Sequence, residues 1–269
     1  MTHTPSLFIS HGAPTFAIEP GRAGAQLAAL GNQLERPSAI VVVSPHWSTR
    51  GVKVTGAARP RTIHDFGGFD RKLYDISYPA SGDAALAQRI ASLLSDAGWP
   101  ASVDPERGLD HGAWVPLLHL YPQADVPVLQ VSMPADLDAA RALQLGRALA
   151  PLAAEGVLIV GSGSLTHNLY EFRAGGGAEA AYAREFTQWI RAAVRAGDTG
   201  RIVNALEVAP HAQRAHPTTE HYLPLVIALG AADRMLPATV LDGGIVHGVL
   251  AMESYVFGRE VALQVREAA

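Results

Sequence analysis

Four unbroken apolar runs constrain the fold of this chain more than any other feature of its sequence. They read SLFIS, AIVVVS, VPVLQVSM and GVLIVGSGS, and they end near Ser10, Ser44, Met133 and Ser164. A short apolar run without polar alternation is typical of a strand that is covered on both faces. Alanine-rich amphipathic stretches alternate with these runs and cover residues 24–35, 84–97, 137–153 and 179–196. The alternation predicts an α/β fold with a central, largely parallel sheet and helices on both of its faces.

Two further segments alternate apolar and polar residues and predict a mixed sheet. GVKVTG at residues 51–56 and GGIVHGVLAMESYVFG at residues 243–258 are typical of edge or antiparallel strands, with a hairpin at Asp242-Gly243-Gly244. FRAGGGAEA, at residues 172–180, predicts a flexible loop. The sequence has no internal repeat and no low-complexity linker, so we expect residues 1–269 to form a single catalytic domain.

The composition excludes several classes of protein and of site. A net charge of −4 without any basic run argues against nucleic acid as a partner. The absence of cysteine excludes disulfides, thiolate nucleophiles and thiolate metal ligands. No apolar stretch is long enough to cross a bilayer, and the first residues lack the features of a signal peptide. We therefore expect a cytoplasmic protein that acts on a small molecule; its oligomeric state does not follow from the sequence.

Histidines follow three of the four predicted central strands. The strand ends read SHGAP, SPHWS and GSGSLTHN, and open α/β sheets bind their ligands at the carboxyl ends of the strands. His11 follows the first run, and His46 follows the second, where we expect Pro45 to end the strand. We expect these two side chains to share one cleft in a metal-binding or catalytic role, with Trp47 available as an aromatic wall.

A third candidate ligand lies in the segment HPTTEHYLPL. Thr218 or Thr219 can cap a helix there, and Pro224 fits best in a first helical turn, which places His221 near the start of a helix. The dipole at a helix start disfavours protonation of an imidazole and leaves its lone pair free for a cation. His216 lies five residues earlier and does not share a helix face with His221, so we expect it to have a supporting or structural role.

Three other histidines lie in loops that suggest chemistry. His111 in LDHGAWVPL and His167 in GSGSLTHNL lie in glycine-flanked polar loops, as ligands or proton-transfer groups. His64 in TIHDFGGF suggests a loop that covers a substrate. A metal site without cysteine must use nitrogen and oxygen ligands. Three imidazoles with open positions suit zinc as a Lewis acid, or iron(II) that binds a substrate together with dioxygen.

These residues lie in segments that resemble the class III extradiol ring-cleaving dioxygenases, specifically the 4,5-DOPA dioxygenase type. The resemblance covers, in order, SLFISHGAPT, VVVSPHW, TIHDFGGF, LYDISYPASG, LDHGAWVPL, GSGSLTHNL and HPTTEHYLPL. It implies that the catalytic divalent metal is bound by His11, His46 and His221. It also implies that His167 is the base that takes a proton from a catechol, and that His111 contacts the substrate or the bound dioxygen.

The third metal ligand is the point at which this sequence departs from the wider class. Many class III enzymes use a glutamate there, whereas this type uses a histidine. Glu220 is adjacent to His221, but consecutive helical residues point about 100° apart, so both cannot easily reach one ion. We expect His221 to be the ligand and keep Glu220 as the alternative.

The resemblance implies extradiol cleavage of a catechol, DOPA-like or otherwise substituted, with dioxygen to give a muconic semialdehyde. Fe²⁺ is the expected catalytic metal, and Zn²⁺ can bind in its place. The residues expected to contact the substrate ring are Trp47, His64, Phe66 and Tyr74, with Phe69 as a further candidate. Two alternatives remain at this point: a zinc-dependent hydrolase that uses the same histidines, and an inactive metal-binding relative.

Overall fold

The computed structural model of the protein describes residues 4–172 and 177–263. The predicted flexible loop at residues 172–180 falls in part on residues 173–176, which lie outside the described residues. The predicted fold class is confirmed: the chain is a single α/β domain with a mixed, mostly parallel central sheet between layers of helices.

The main sheet has eight strands among the described residues. The strands of the protein are β1 Ser6–Ser10, β2 Ala39–Thr49, β3 Val52–Thr55, β4 Ala101–Asp104, β5 Val128–Pro134, β6 Val157–Gly163, β7 Ala238–Leu241, β8 Ile245–Val246, β9 Leu250–Ala251 and β10 Ser254–Phe257. The order across the main sheet is β4-β3-β5-β2-β6-β1-β10-β7. The four central strands β5, β2, β6 and β1 are parallel, as their apolar runs predict.

Strand β2 does not end at Pro45, so that expectation is wrong. The strand continues to Thr49, but it pairs with β6 only through Val43, and its pairing with β5 lapses between Val43 and Ser48. Proline has no N–H to donate to a ladder, so it favours an irregular section over regular pairing. His46 therefore lies in an unpaired section inside β2 and does not follow the strand.

The antiparallel strands are only partly as predicted. β3 is antiparallel to β5 and β10 is antiparallel to β1, but the edges of the sheet are β4 and β7. The predicted hairpin at Asp242-Gly243-Gly244 is wrong, because β7 pairs with β10 and residues 242–244 only connect β7 to β8. The tight turn is instead at His247-Gly248 between β8 and β9. Both residues have positive φ, the pattern of a type I′ turn.

Helices cover both faces of the sheet. They are α1 Gly21–Gln33, α2 Ala84–Asp96, α3 His111–Leu120, α4 Ala139–Leu149, α5 Ala181–Ala196, α6 Thr199–Val203, α7 Ala205–Val208, α8 Ala212–Ala215 and α9 Leu223–Ala231. Short 3₁₀ turns lie at Pro14–Ala17, Arg71–Asp75, Ala150–Glu155 and Leu169–Glu171. The amphipathic stretches thus correspond to α1, α2, α4 with the turn after it, and α5.

Two cores form on opposite faces of the sheet because successive strand residues point to opposite sides. Ile40 and Val42 of β2 face one core with α1 and α3, whereas Val41 and Val43 face the other with α2, α4, α5 and α9. In the described part of the chain, no helix is both long enough and apolar enough to pass through a bilayer.

Helices α3 and α9 are buried on nearly all sides. Every residue of α9 is buried, and α3 is buried from His111 through Leu117. A helix that is apolar all round has no polar face to mark its period. No sequence signal therefore marked this helix. The interpretation of His111 as a loop residue is wrong, because His111 is the first residue of α3 and directly follows Asp110.

Candidate active site

Three histidine rings converge at the carboxyl ends of the central strands. His11 directly follows β1, His46 lies in the unpaired section of β2, and His221 lies two residues before α9. The ring centroids are 5.1 Å apart for His11 and His46, 5.5 Å for His11 and His221, and 5.1 Å for His46 and His221. One ligand nitrogen from each ring lies within 4.8 Å of the other two. The rings therefore form a triangle that can share one ion.

Strand β6 brings His221 to this triangle through two glycines. A Cβ at Gly161 would collide with the carbonyl oxygen of Pro224, and a Cβ at Gly163 would collide with that of His221. The backbone of residues 221–224 can therefore lie directly on the strand. The N–H of Ser164 donates to the His221 carbonyl at 2.9 Å, which fixes the segment there.

Ser162 determines which nitrogen of His11 carries the proton. The Ser162 hydroxyl donates its hydrogen to the carbonyl of Gly112, which cannot donate in return. The 3.0 Å contact between Ser162 Oγ and His11 Nδ1 must therefore be an N–H donated by the imidazole. The Nε2 of neutral His11 is left with its lone pair, 3.2 Å from Nε2 of His46.

Glu220 sets the tautomer of His221 in the same way. Its Oε1 lies 3.1 Å from Nδ1 of His221 and also accepts from the Thr218 hydroxyl at 2.8 Å. An ionised carboxylate only accepts, so Nδ1 of His221 carries the proton. The Nε2 atom of His221 is buried and has no hydrogen-bond partner among the described residues. The lone pair of His221 is therefore on Nε2, and Glu220 lies on the Nδ1 side of the ring.

Burial keeps all three imidazoles neutral. It lowers the pKa of His11 well below its usual value, and the neighbouring His46 lowers it further. Burial also lowers the pKa of His221 well below the usual value, with His167 adding to the effect. For His46, burial and then His111 lower the pKa to about 3, against the opposing charge of Asp65. Neutral imidazoles are the form that binds metals.

The residues present fit a divalent metal. The fit rests on the buried Nε2 of His221, which no other described residue hydrogen-bonds, on the lone pair of His11, and on the 3.2 Å separation between the Nε2 atoms of His11 and His46. Tetrahedral or octahedral ligand nitrogens at 2.0–2.1 Å from an ion lie about 3–3.4 Å from each other, close to that separation. Three nitrogen ligands suit iron(II) or zinc.

His111 lies beside the triangle and is held by Asp65. Its ring centroid is 4.0 Å from that of His46 and 5.5 Å from that of His11. Asp65 Oδ1 accepts the backbone N–H of His111 at 2.9 Å, and Oδ2 lies 3.0 Å from its Nδ1. Burial would raise the pKa of the Asp65 carboxyl, but the contacts from His111 outweigh burial and lower it to about 2.

His167 stacks on His221. The two rings are nearly parallel, at 10°, with centroids 3.5 Å apart. The backbone N–H of His167 donates to the carbonyl of Ala215, which tethers the loop after β6. Burial lowers the pKa of His167; Glu220 opposes this shift and His111 adds to it. His167 is therefore neutral and able to accept a proton at the edge of the candidate metal site.

These five histidines open onto one cavity of about 290 Å³. The rest of its wall is apolar, and the full lining is His11, Gly12, Ala13, Pro14, His46, Phe66, Phe69, His111, His167, Leu169, Phe172, His221 and Leu250. A small, largely apolar cavity with a few convergent polar groups is the usual form of a small-molecule site. Its size and its aromatic walls suit a single aromatic ring.

The predicted substrate-contacting residues are distributed unevenly around this cavity. Phe66 and Phe69 line it, whereas Trp47, His64 and Tyr74 are not among its described lining residues. Trp47 is buried below the guanidinium of Arg107, which is 5.3 Å from the ring centroid. His64 and Tyr74 pack behind Phe66, with ring centroids at 5.8 and 5.2 Å from it.

Sequence reasoning missed two groups that hold the histidines. Asp65 directly follows His64 in HDFGGF, and this pairing of a carboxylate with a histidine in one loop was the available signal. Ser162 belongs to the GSGS end of β6, where alternation along the strand places it on the same face as Val160, toward α3. The cavity residues Leu169, Phe172 and Leu250 carried no signal, because isolated apolar residues in loops have many possible roles.

Comparison with known proteins adds a family assignment to this geometry. The family model described as the catalytic LigB subunit of aromatic ring-opening dioxygenase matches residues 1–258. The chain is 41% identical over 262 residues to the 4,5-DOPA dioxygenase extradiol of Escherichia coli K12, which covers 96% of both chains. It is 39% identical over 256 residues to the protein of the same name from Beta vulgaris, which covers 94% of this chain and 96% of the relative.

A solved structure supports the same relation. The crystal structure of an uncharacterized protein from Escherichia coli K12 superposes with a TM-score of 0.75 at 35% identity. The match covers 95% of this chain and all of that one. The chain therefore shares its fold with that protein over nearly its whole length.

Proposed function

We propose, because the chain belongs to the LigB family of aromatic ring-opening dioxygenases, that this oxidoreductase cleaves a catechol beside its two hydroxyl groups. Both atoms of dioxygen enter the product, a muconic semialdehyde, and no external reductant is needed. The observation that carries the proposal is the convergence of three neutral imidazoles at the floor of an aromatic-walled cavity of about 290 Å³. We further propose that the domain acts in the cytoplasm on a small molecule and not on nucleic acid.

His11, His46 and His221 would hold the divalent metal, with iron(II) as the catalytic ion and zinc as an ion that can occupy the same ligands. When bound, iron(II) supplies a centre through which electrons pass from a catecholate to dioxygen. Ser162 and Glu220 support this role because they keep the protons of His11 and His221 on Nδ1. Partners of this kind orient metal-binding histidines and fix their tautomers.

His167 is the proposed base. Its neutral imidazole lines the cavity, so a ring nitrogen can take the proton of a catechol hydroxyl. Glu220 is close enough to support the imidazolium that forms, since its carboxylate oxygen lies within 4.8 Å of a nitrogen of His167. Stacking on His221 keeps the His167 ring in one orientation toward the metal ligands.

The remaining walls position the ring of the substrate. Phe66 lies edge-on to His111, at 90° with centroids 5.6 Å apart, and Phe69 packs against Phe66 at 88°. These side chains form an apolar slot beside His111. We propose that His111 contacts the substrate or dioxygen. A flat aromatic ring fits such a slot by stacking and edge contacts. DOPA, the catechol named in the 4,5-DOPA dioxygenase relatives, is a candidate substrate.

The experiment is an oxygen-uptake assay with a panel of catechols. Metal-free protein is loaded anaerobically with iron(II), mixed with catechol in oxygenated buffer, and followed for oxygen consumption and the yellow semialdehyde. We expect uptake of one O₂ per ring opened, and none for the protein loaded with zinc, which has no redox chemistry. His167→Ala is expected to lower turnover by ~10²–10⁴-fold, the usual contribution of a general base.

His211→Ala is the matched control, since His211 is surface-exposed and paired with Glu185 away from the cavity. Hydrolysis of an ester or amide without oxygen uptake would support the zinc-hydrolase alternative. Metal binding without turnover of any catechol would support the inactive relative. Either result would overturn the proposed function.

A further inference from the structure

We propose that Asp65 is a positioning residue for the ring-opening reaction: its carboxylate holds the proton of His111 on Nδ1 and leaves Nε2 for the cavity. The proposal deepens the function proposed above and rests on it for its kinetic consequence. Its structural consequence, the tautomer of one histidine, can be measured without any turnover.

The two oxygens of Asp65 reach different groups. Oδ1 accepts the backbone N–H of His111 at 2.9 Å. Oδ2 lies 3.0 Å from Nδ1 of His111 and 3.6 Å from Nδ1 of His46. The shorter Oδ2 contact is bent, so we treat it as a close electrostatic contact and not as a full hydrogen bond. One carboxylate thus faces both a proposed metal ligand and the histidine beside it.

This arrangement decides the tautomer of His111. An ionised carboxylate is negative and carries no proton, so an unprotonated Nδ1 at 3.0 Å would place the partial negative charge of the ring nitrogen beside the carboxylate, whereas an N–H there places a partial positive charge beside it. The proton of neutral His111 therefore belongs on Nδ1. Nε2 is on the opposite edge of the ring, and His111 is a lining residue of the cavity. Nε2 is then the atom that would meet the substrate or dioxygen.

Asp65 also replaces a missing helix cap. Asp110 precedes α3, but its side chain makes no capping hydrogen bond; instead its Oδ2 accepts from the Gln130 amide at 2.8 Å. Oδ1 of Asp65 satisfies the first N–H of α3 from a separate loop. Stability and positioning are therefore assigned to different oxygens, and a substitution can separate them.

Asp65→Asn makes this separation. Asparagine keeps an oxygen that can accept the backbone N–H of His111, but places an NH₂ group where Oδ2 stood. The amide N–H then places a partial positive charge beside Nδ1 of His111, which favours a lone pair on that nitrogen, so we expect the proton to move to Nε2. A comparable change of tautomer disables the histidine of a serine protease triad when the aspartate of the triad is replaced by asparagine.

The first measurement is a ¹⁵N NMR spectrum of the imidazoles in metal-free protein, with the His111 signals assigned by their loss in His111→Phe. We expect Nδ1–H in the parent, Nε2–H in Asp65→Asn, and Nδ1–H again in Asp65→Glu, which restores the carboxylate. Nε2–H in the parent, or an unchanged tautomer in Asp65→Asn, would overturn the proposal. If Asp65→Asn does not fold, the parent and Asp65→Glu spectra still decide it.

The second measurement is steady-state turnover per bound iron. We expect kcat of Asp65→Asn to fall by ~10–100-fold with KM changed by less than about threefold, the scale of lost supporting contacts. Asp83→Asn is the matched control, because the Asp83 side chain caps α2 by accepting the Leu86 N–H and makes no hydrogen bond to an imidazole of the described residues. Equal kcat in the two variants would overturn the kinetic part. If the parent enzyme opens no catechol, the proposed function fails while the NMR result still stands.

Discussion

Ser162→Ala is expected to weaken metal binding because it removes the acceptor of the His11 Nδ1–H. In the metal-free variant, His11 can move its proton to Nε2 and donate it to Nε2 of His46, 3.2 Å away. In the metal-bound variant, Nε2 is occupied by the ion, so the proton must stay on Nδ1 without an acceptor. The cost therefore falls on the metal-bound state alone.

The magnitude follows from the burial of this group. His11 is only 1% exposed, so water cannot replace the lost hydroxyl without repacking. A buried donor without a partner costs ~1–3 kcal/mol. At about 1.4 kcal/mol for each tenfold change, the dissociation constant should rise by roughly 5- to 150-fold. The loss of the Ser162 hydrogen bond to Gly112 affects both states equally and cancels.

The assay is titration of metal-free protein with Zn²⁺ against a competing chelator at neutral pH. Ser164→Ala is the matched control: it removes an equally buried hydroxyl, which donates to the Thr166 carbonyl, and it keeps the backbone N–H that donates to the His221 carbonyl. We expect the parent and Ser164→Ala to bind alike and Ser162→Ala to bind more weakly. Equal dissociation constants for all three proteins would refute the tautomer argument for His11.

Two further predictions concern packing and pH. In Gly112→Ala, the added Cβ would overlap Ser44 Oγ and lie 3.1 Å from His46 Cδ2, so we expect a lower melting temperature and weaker Zn²⁺ binding; an unchanged dissociation constant would contradict it. Burial lowers the pKa of His216 to about 4, and its Nε2 donates to the Leu165 carbonyl. The unfolded chain takes up this proton near pH 6.5 and the folded chain does not, so His216 should remove about 2 kcal/mol of stability from metal-free protein between pH 7 and pH 5. Urea unfolding at both pH values should show a smaller loss in His216→Gln, and an equal loss in both proteins would count against this assignment.

The central strands could be predicted because burial on both faces leaves an unmistakable apolar run. Helices α3 and α9 follow the opposite logic: burial on all sides removes the polar face that marks a helical period. Pro224 still indicated the start of α9, since proline fits a first turn. Nothing comparable marked α3, where Pro116 lies inside the helix. The true ladder partner of β7 was equally hidden, because pairing between distant strands leaves no local pattern.

The histidines of the candidate site that lie near strand ends could be predicted from the sequence. The contacts between segments that are far apart in the chain could not. His11, His46 and His221 could be chosen from their positions in the fold and from the family resemblance. The contacts of Asp65 and Ser162 depend on which loops meet in space, and single sequences do not encode this visibly. Trp47 illustrates the converse, because a residue next to His46 in sequence points to the other side of the strand.

The three converging histidines come from widely separated parts of the chain, so a metal ion bound by them, as we propose, would connect these parts. The complete set of three ligands forms only when β1, β2 and the segment before α9 are all folded together. Metal binding at the proposed site would therefore be thermodynamically linked to folding. At a free metal concentration one hundred times the dissociation constant, metal binding would add ~2.7 kcal/mol to the free energy of unfolding. The yield of folded enzyme in a cell should then follow the availability of the metal as well as the rate of synthesis.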